Sequence, residues 1–232
     1  MAKTFSLSLE AGEPFQFING LPAGYNGPVL VGAACSFTKS NLSELVLQEL
    51  RGEEYDIRFI IGKFLKQFYA KGRIHTEGLY SNLMFRSSAR KKVLRLGETH
   101  LREGQYNFFY TQPSECSSYF AMGKEFRMMN IFYSPLLLEE LVPFFPELKS
   151  VIGANPGVLI TQKPFWLPVT IKEITNQLFN CPYDENTRQF YFDLKVREVL
   201  YHMLENVFRQ GMNKLSFTPW EINRIHEAKK IL

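Results

Sequence analysis

Glycine is the residue that most constrains this chain, because it marks where a backbone must turn. Fourteen of the fifteen glycines lie at or before Gly157, and only Gly211 follows. The chain is therefore turn-rich first and turn-poor afterwards, which predicts a β-rich part followed by a helical part, with the change near residue 158. In the turn-rich part, short runs alternate apolar and polar side chains between turn signals, at 55–61, 78–85, 105–110, 116–122 and 126–133. Each reads as a strand. Helical patterns between them, which βαβ units would need, are missing, so an antiparallel sandwich or barrel is expected.

The turn-poor part carries helix signals. Ser134-Pro135 supplies a capping hydroxyl and a proline for the first turn, and an apolar run follows to Val142, limited by Pro143 and Pro146. A second helix is expected from a capping box at Thr170 and Glu173, with Ile171, Ile174 and Leu178 on one side, ending before Pro182. A third runs from about Asn186 to Gln210 without Gly or Pro. Its apolar residues Phe192, Val196, Val199, Met203 and Val207 recur every three or four positions, widened by Leu200, Leu204 and Phe208. Thr218-Pro219-Trp220-Glu221 starts a last helix whose apolar face is Ile222, Ile225, Ala228 and Leu232. That helix has a start signal and no stop signal, so the expectation is that it is cut and the natural chain continues; a terminal amphipathic helix docked on the core is the rival reading.

Composition bounds the class. With 232 residues, 45% hydrophobic and 22% charged, the chain can bury a substantial core and is neither disordered nor collagen-like. Its apolar stretches, such as 28–35, fall short of the ~18 residues of a membrane span, and no membrane role or export signal is expected. Cys35, Cys116 and Cys181 are odd in number and far apart, which fits neither a disulfide framework nor a paired-cysteine zinc site and places the chain in the reducing cytoplasm. A net charge of +4 is too mild for the chain to be a nucleic-acid reader by itself.

The helical motifs carry a resemblance. Cys181-Pro182-Tyr183, then Arg188-Gln-Phe-Tyr-Phe-Asp-Leu-Lys195, then Phe217-Thr-Pro-Trp-Glu-Ile-Asn-Arg-Ile-His-Glu-Ala-Lys-Lys-Ile-Leu232 resemble an AraC-type bacterial transcription regulator, in the branch that includes siderophore-responsive regulators. The motifs carry the likeness over 181–232, whereas over 1–133 only the architecture does. The resemblance implies an α+β chain, a β-rich cupin-like barrel or jelly roll followed by a helical segment. Its parts would be an effector-sensing domain at 1–133, a helical dimerisation segment at 134–212, and at 213–232 the linker and first helix of a truncated DNA-binding domain. It also implies a small-molecule effector, a homodimer, and DNA contacted through the C-terminal helix-turn-helix domain absent from this chain.

Candidate chemistry is sparse. A cupin-like barrel raises the question of a metal, but His75 and His100 form no His-x-His pair, and His202 and His226 lie on expected helices without a partner one turn away. Neither a metal nor another cofactor is expected. Nucleophile elbows and phosphate loops are missing too, so an enzyme is not expected. The basic run from Arg86 to Arg95 could attract an anionic effector or a DNA backbone, although a solvated loop between strands explains it as well.

A pocket is better argued from aromatic strand faces. Tyr80, Asn82 and Met84 share one side of a strand, and Tyr106, Phe108 and Tyr110 one side of another. Arg58 could pair bidentately with a carboxylate. The candidate ligand residues are therefore Arg58, Tyr80, Asn82, Tyr106 and Phe108, with plain core and surface roles as their alternative. The stripe Val196, Val199, Leu200, Met203 and Val207 is the candidate dimer face, unless it covers the sheet. The overall expectation is the sensing and dimerisation part of an AraC-like regulator; the rivals are a stand-alone cupin-like ligand-binding module and a metal-dependent cupin enzyme.

Overall fold

Successive strands pass from one sheet to the other, and that alternation sets the architecture. The computed structural model describes residues 4–9, 16–123, 125–161 and 163–210. An edge strand β1 (Phe5–Leu9) precedes three strands of the larger sheet, β2 (Ile18–Asn19), β3 (Ala34–Lys39) and β4 (Ser43–Arg51). Then come β5 (Tyr55–Phe64), β6 (Phe68–Ile74), β7 (Gly78–Arg86), β8 (Ser88–Val93), β9 (Gly97–Arg102), β10 (Gln105–Thr111), β11 (Ser114–Phe120) and β12 (Glu125–Tyr133). In the larger sheet β5, β12, β7 and β10 are neighbours in that order, and in the smaller sheet β6, β11, β8 and β9 are. This pair of four-strand orders is the double Greek key of a jelly roll, the architecture of cupins. The strands expected at 55–61, 78–85, 105–110, 116–122 and 126–133 all form, extended or shifted by up to three residues at an end.

Among the described residues, helices cover only the outer face of the larger sheet. Helix α1 (Pro135–Leu141) starts at Ser134, whose hydroxyl accepts from the Leu137 N–H at 3.2 Å. Two short strands, β13 (Gly157–Leu159) and β14 (Phe165–Trp166), return to pair with β10, so the segment after 133 is not wholly helical. Helix α2 (Val169–Phe179) begins at Pro168, without a side-chain cap. The capping box expected at Thr170 does not form, because Thr170 already lies inside the first turn. Helix α3 (Glu185–Glu205) is capped by Asp184, which accepts from the Asn186 and Thr187 N–H groups, and runs into a π-helical turn at Asn206–Gln210. The helix expected from Thr218 lies outside the described residues. Among the described residues, no helix is long and apolar enough to cross a membrane.

Period-two geometry divides the larger sheet into two buried faces. Outward, Ile57 and Phe59 of β5, Leu83 of β7, Tyr106 and Phe108 of β10 and Ile131 of β12 share one core with Leu138, Ile174, Leu178 and the inner side of α3. Inward, Ile60, Met84 and Phe126 meet Ala70, Ala89 and Phe120 of the smaller sheet. Gly62, at φ +149°, lets β5 approach β4, because a Cβ there would overlap the Glu44 carbonyl.

The basic run differs from the loop alternative. Residues 88–93 form β8, paired with β9 and β11. Alternation then exposes Arg90 and Lys92 and turns Lys91 toward the barrel interior.

The candidate dimer stripe is also placed differently. Val196, Val199, Leu200 and Met203 are buried against the sheet in the shared core, with Val207 partly buried beside them. The four buried residues are thus occupied by the chain's own sheet, and only Val207 keeps accessible surface. The physical reason is that the larger sheet's outer face is mostly apolar, with Gln48 and Ser81 the exceptions, and needs a cover that wide. Replacing Met203 by Ala is expected to lower unfolding stability by about 2–5 kcal/mol without changing the association state, measured by urea denaturation and sedimentation; undiminished stability with altered association would return this stripe to a partner.

Candidate functional site

Between the sheets lies a cavity of about 60 Å³, which at ~10–15 Å³ per water holds roughly four to six waters or one small organic ion. Its polar lining is a consequence of register. Glu49, Arg58, Asn130, Asn82 and Asn107 stand directly opposite one another on β4, β5, β12, β7 and β10, forming a single row across five strands. An aromatic row flanks it on one side, Phe132, Tyr80 and Phe109, and an apolar row on the other, Leu47, Ile60, Met128 and Met84. On the smaller sheet, Ser118, Lys91 and Thr99 make a second polar row on β11, β8 and β9. Both rows line the same cavity.

Within the longer row the side chains hold one another. Arg58 donates through Nε and Nη2 to Glu49 Oε1 at 2.9 and 2.7 Å, and through Nη2 to the Phe5 carbonyl at 3.2 Å. Asn130 Nδ2 donates to Asn82 Oδ1 at 2.7 Å, and Asn82 Nδ2 donates to Asn107 Oδ1 at 2.8 Å. This amide ladder fixes three polar side chains in one orientation, so their cavity-facing edges are preorganised. The Phe5 ring packs against the Arg58 guanidinium and the Lys91 ammonium, 5.1 and 4.9 Å from its centroid, and Phe109 lies 5.3 Å from the same ammonium.

Charge in this enclosure is costly, and the titratable groups register it. Burial, reinforced by the Arg58 charge, pushes the Lys91 ammonium below its ordinary value. Burial pushes the Asp56 carboxyl up, a rise opposed by the Thr4 hydroxyl and by the Arg51 and Arg58 charges. The Tyr80 hydroxyl, also raised by burial, donates to the Thr76 carbonyl at 2.7 Å. Among the described residues no three His, Cys, Asp or Glu side chains are grouped as metal ligands would be.

Of the five candidate ligand residues, Arg58, Tyr80 and Asn82 line the cavity. Tyr106 and Phe108 do not, because Tyr106 stands opposite Leu83 on the helix-facing side of the sheet. There the Tyr106 hydroxyl accepts from Asn206 Nδ2 at 2.8 Å, and the Phe108 N–H donates to Thr161 Oγ1 at 3.0 Å. The cavity side of β10 is Asn107 and Phe109. Asn107 and Asn130 were not among the sequence candidates, and Lys91 was one only as part of the basic run from Arg86 to Arg95. Their shared signal is a lone polar residue inside an apolar alternation, as in Met128-Asn130-Phe132 and Ala89-Lys91-Val93.

Comparison with known proteins adds a family. The family model described as the regulatory protein PchR N-terminal domain matches residues 63–216. No curated protein sequence matches the chain. Among solved structures, the AraC-like transcriptional activator CuxR is similar over 82% of this chain and 60% of its own, at 10% identity and a TM-score of 0.46. The chain thus spans less than two-thirds of that structure's length. A putative ethanolamine utilization protein Q from Salmonella typhimurium is similar over 51% of this chain and 94% of its own, at 11% identity and a TM-score of 0.32. HppE in its Fe(II) form is similar over 50% of this chain and 64% of its own, at 11% identity and a TM-score of 0.34.

The raised carboxyl of Asp56 makes a pH prediction. A group whose folded value lies above its unfolded one favours folding when protonated, and that contribution is lost as pH rises through the folded value. Asp56→Asn is therefore expected to gain stability relative to the parent between about pH 4 and about pH 7, read by urea denaturation at both; a constant difference would mean that Asp56 is not desolvated.

Proposed function

The chain belongs to the PchR regulatory-protein N-terminal domain family, the N-terminal part of an AraC-type transcription regulator, and on that premise we propose that its barrel cavity is the site of a small-molecule effector that controls transcription. One observation carries the reading. The five-strand polar row is preorganised on strands whose opposite faces hold the helices. Ligand pockets have this composition, apolar walls with a few fixed polar groups. A metal-dependent cupin enzyme is less well supported, because the row offers amides and a paired guanidinium where metal chemistry calls for imidazoles and carboxylates.

The proposed mechanism is a population shift between two placements of the helical segment. On β5, Arg58 faces the cavity while Phe59 meets Phe179 of α2 at 4.8 Å between ring centroids. On β10, Asn107 faces the cavity while Tyr106 holds Asn206 at the end of α3. A ligand that moves these strands therefore bears on the point where the chain leaves α3 toward the C-terminal DNA-reading part of the regulator, in the cytoplasm. With an effector bound to the chain, hydrogen exchange is expected to slow both in the cavity strands and over residues 196–210; protection confined to the barrel would refute the coupling.

Dimerisation belongs to the same proposal, on a different face. Phe190, Leu194 and Tyr201 are 68, 50 and 43% exposed along the solvent side of α3, at the four- and seven-residue spacings that align on one helix stripe. A second copy applied through a two-fold axis would cover this stripe with itself. Leu194→Glu is expected to convert the dimer to monomer in sedimentation without lowering the melting temperature; an unaffected association state would exclude this face.

A further inference from the structure

Lys91 points into the barrel and lines its cavity, and part of its side-chain surface stays accessible. A buried ammonium normally sits against a carboxylate or a ring of carbonyls. Here, among the described residues, it has neither. The groups that bear on its charge are the Arg58 guanidinium and the Cys116 thiol. Glu49 is committed to Arg58 by two hydrogen bonds to one oxygen, and Asp56 lies with Thr4, Arg51 and Arg58. Its remaining contacts are the faces of Phe5 and Phe109. These hold the ammonium in place and satisfy none of its three N–H donors.

The charge balance points the same way. Arg51, Arg58 and Lys91 line the cavity against Glu49 and Asp56, so one positive charge is left over. The neighbouring rows are aromatic and apolar, and the space admits a body of only about four to six non-hydrogen atoms.

We infer that the cavity takes a small monocarboxylate with an apolar body, its charged end paired with Lys91 and its body against Phe132 and Tyr80. The inference rests on reading the cavity as an effector site and names the chemical class of that effector. One anionic oxygen pair neutralises the surplus charge and accepts from Lys91, while Ser118 and Thr99, beside it in the row, offer further hydroxyl donors. The amide ladder is left to orient any polar substituent on the body. A dianion such as phosphate would overfill the charge balance and leave the aromatic row unused.

Isothermal titration of the chain with propionate, its neutral isostere propionamide, and inorganic phosphate tests this, each repeated on Lys91→Met and Lys91→Gln. Propionate is expected to bind the parent, and about 10- to 100-fold more weakly to both variants, the value of a charge-assisted hydrogen bond. Propionamide is expected to show no such difference. The ligand-free variants are expected to melt at or above the parent, since the charge removed had no partner. Variants that bind propionate as the parent does, or that melt well below it without ligand, overturn the role of Lys91; phosphate binding more tightly than propionate overturns the ligand class. If propionamide binds the cavity and propionate does not, the anion inference fails while the effector reading stands. If neither binds, both fail.

Discussion

The strands β5, β7, β10 and β12 are buried on both faces, and one register sets what each face presents. A slip of one residue would exchange Arg58 for Ile57 or Phe59, Asn82 for Leu83 and Asn107 for Phe108. The guanidinium and the amides would then enter the core under the helices, where nothing pairs with them, at about 1–3 kcal/mol for each polar group and more for the charge. The polar row therefore does more than line a cavity. It penalises every alternative pairing of the central sheet, as register is most strongly specified where a face is buried.

The same double burial decides how much a sequence reader can see. The five expected strands were legible because runs such as 78–85 and 126–133 alternate between turn signals, and the helical part because glycine disappears after 157. On β10 the run Tyr106 to Tyr110 is apolar or aromatic at every position but Asn107, so a strand is evident and its inward face is not. That is why the sequence points Tyr106 and Phe108 toward the pocket, whereas Asn107 is the residue of this run that lines it. On β8, three consecutive cations, Arg90, Lys91 and Lys92, conceal the period of two. Only the flanking Ala89 and Val93, both buried, reveal the parity that sends Lys91 inward. On α3 the apolar stripe was visible, but amphipathicity alone does not say whether it meets a sheet or a second chain. The sheet's own outer face settles that, because Phe59, Leu83 and Ile131 need a cover.

The two sheets are covered unequally, and that difference separates the roles of the two polar rows. Helices lock the outer side of the larger sheet, so the Glu49 to Asn107 row is held from behind as well as along its own hydrogen bonds. The smaller sheet has solvent on its outer side, where Arg90, Lys92 and Glu115 are exposed. A ligand in the cavity would thus bridge a braced wall and one whose outer side, among the described residues, carries no helix. Whatever it contributes to holding the sheets together falls on the strands that also carry α2 and α3.

An effector changes an equilibrium only by the difference in its affinity for the two arrangements. A fully paired cavity would supply little difference, since a ligand would merely replace bonds the protein already makes. Lys91 is the opposite case. On the proposed reading, an anion paired with Lys91 would offset the desolvation that lowers it and favour the arrangement in which the two polar rows face each other. The sign of the response would then follow from electrostatics: a bound anion would draw the smaller sheet toward the braced larger one.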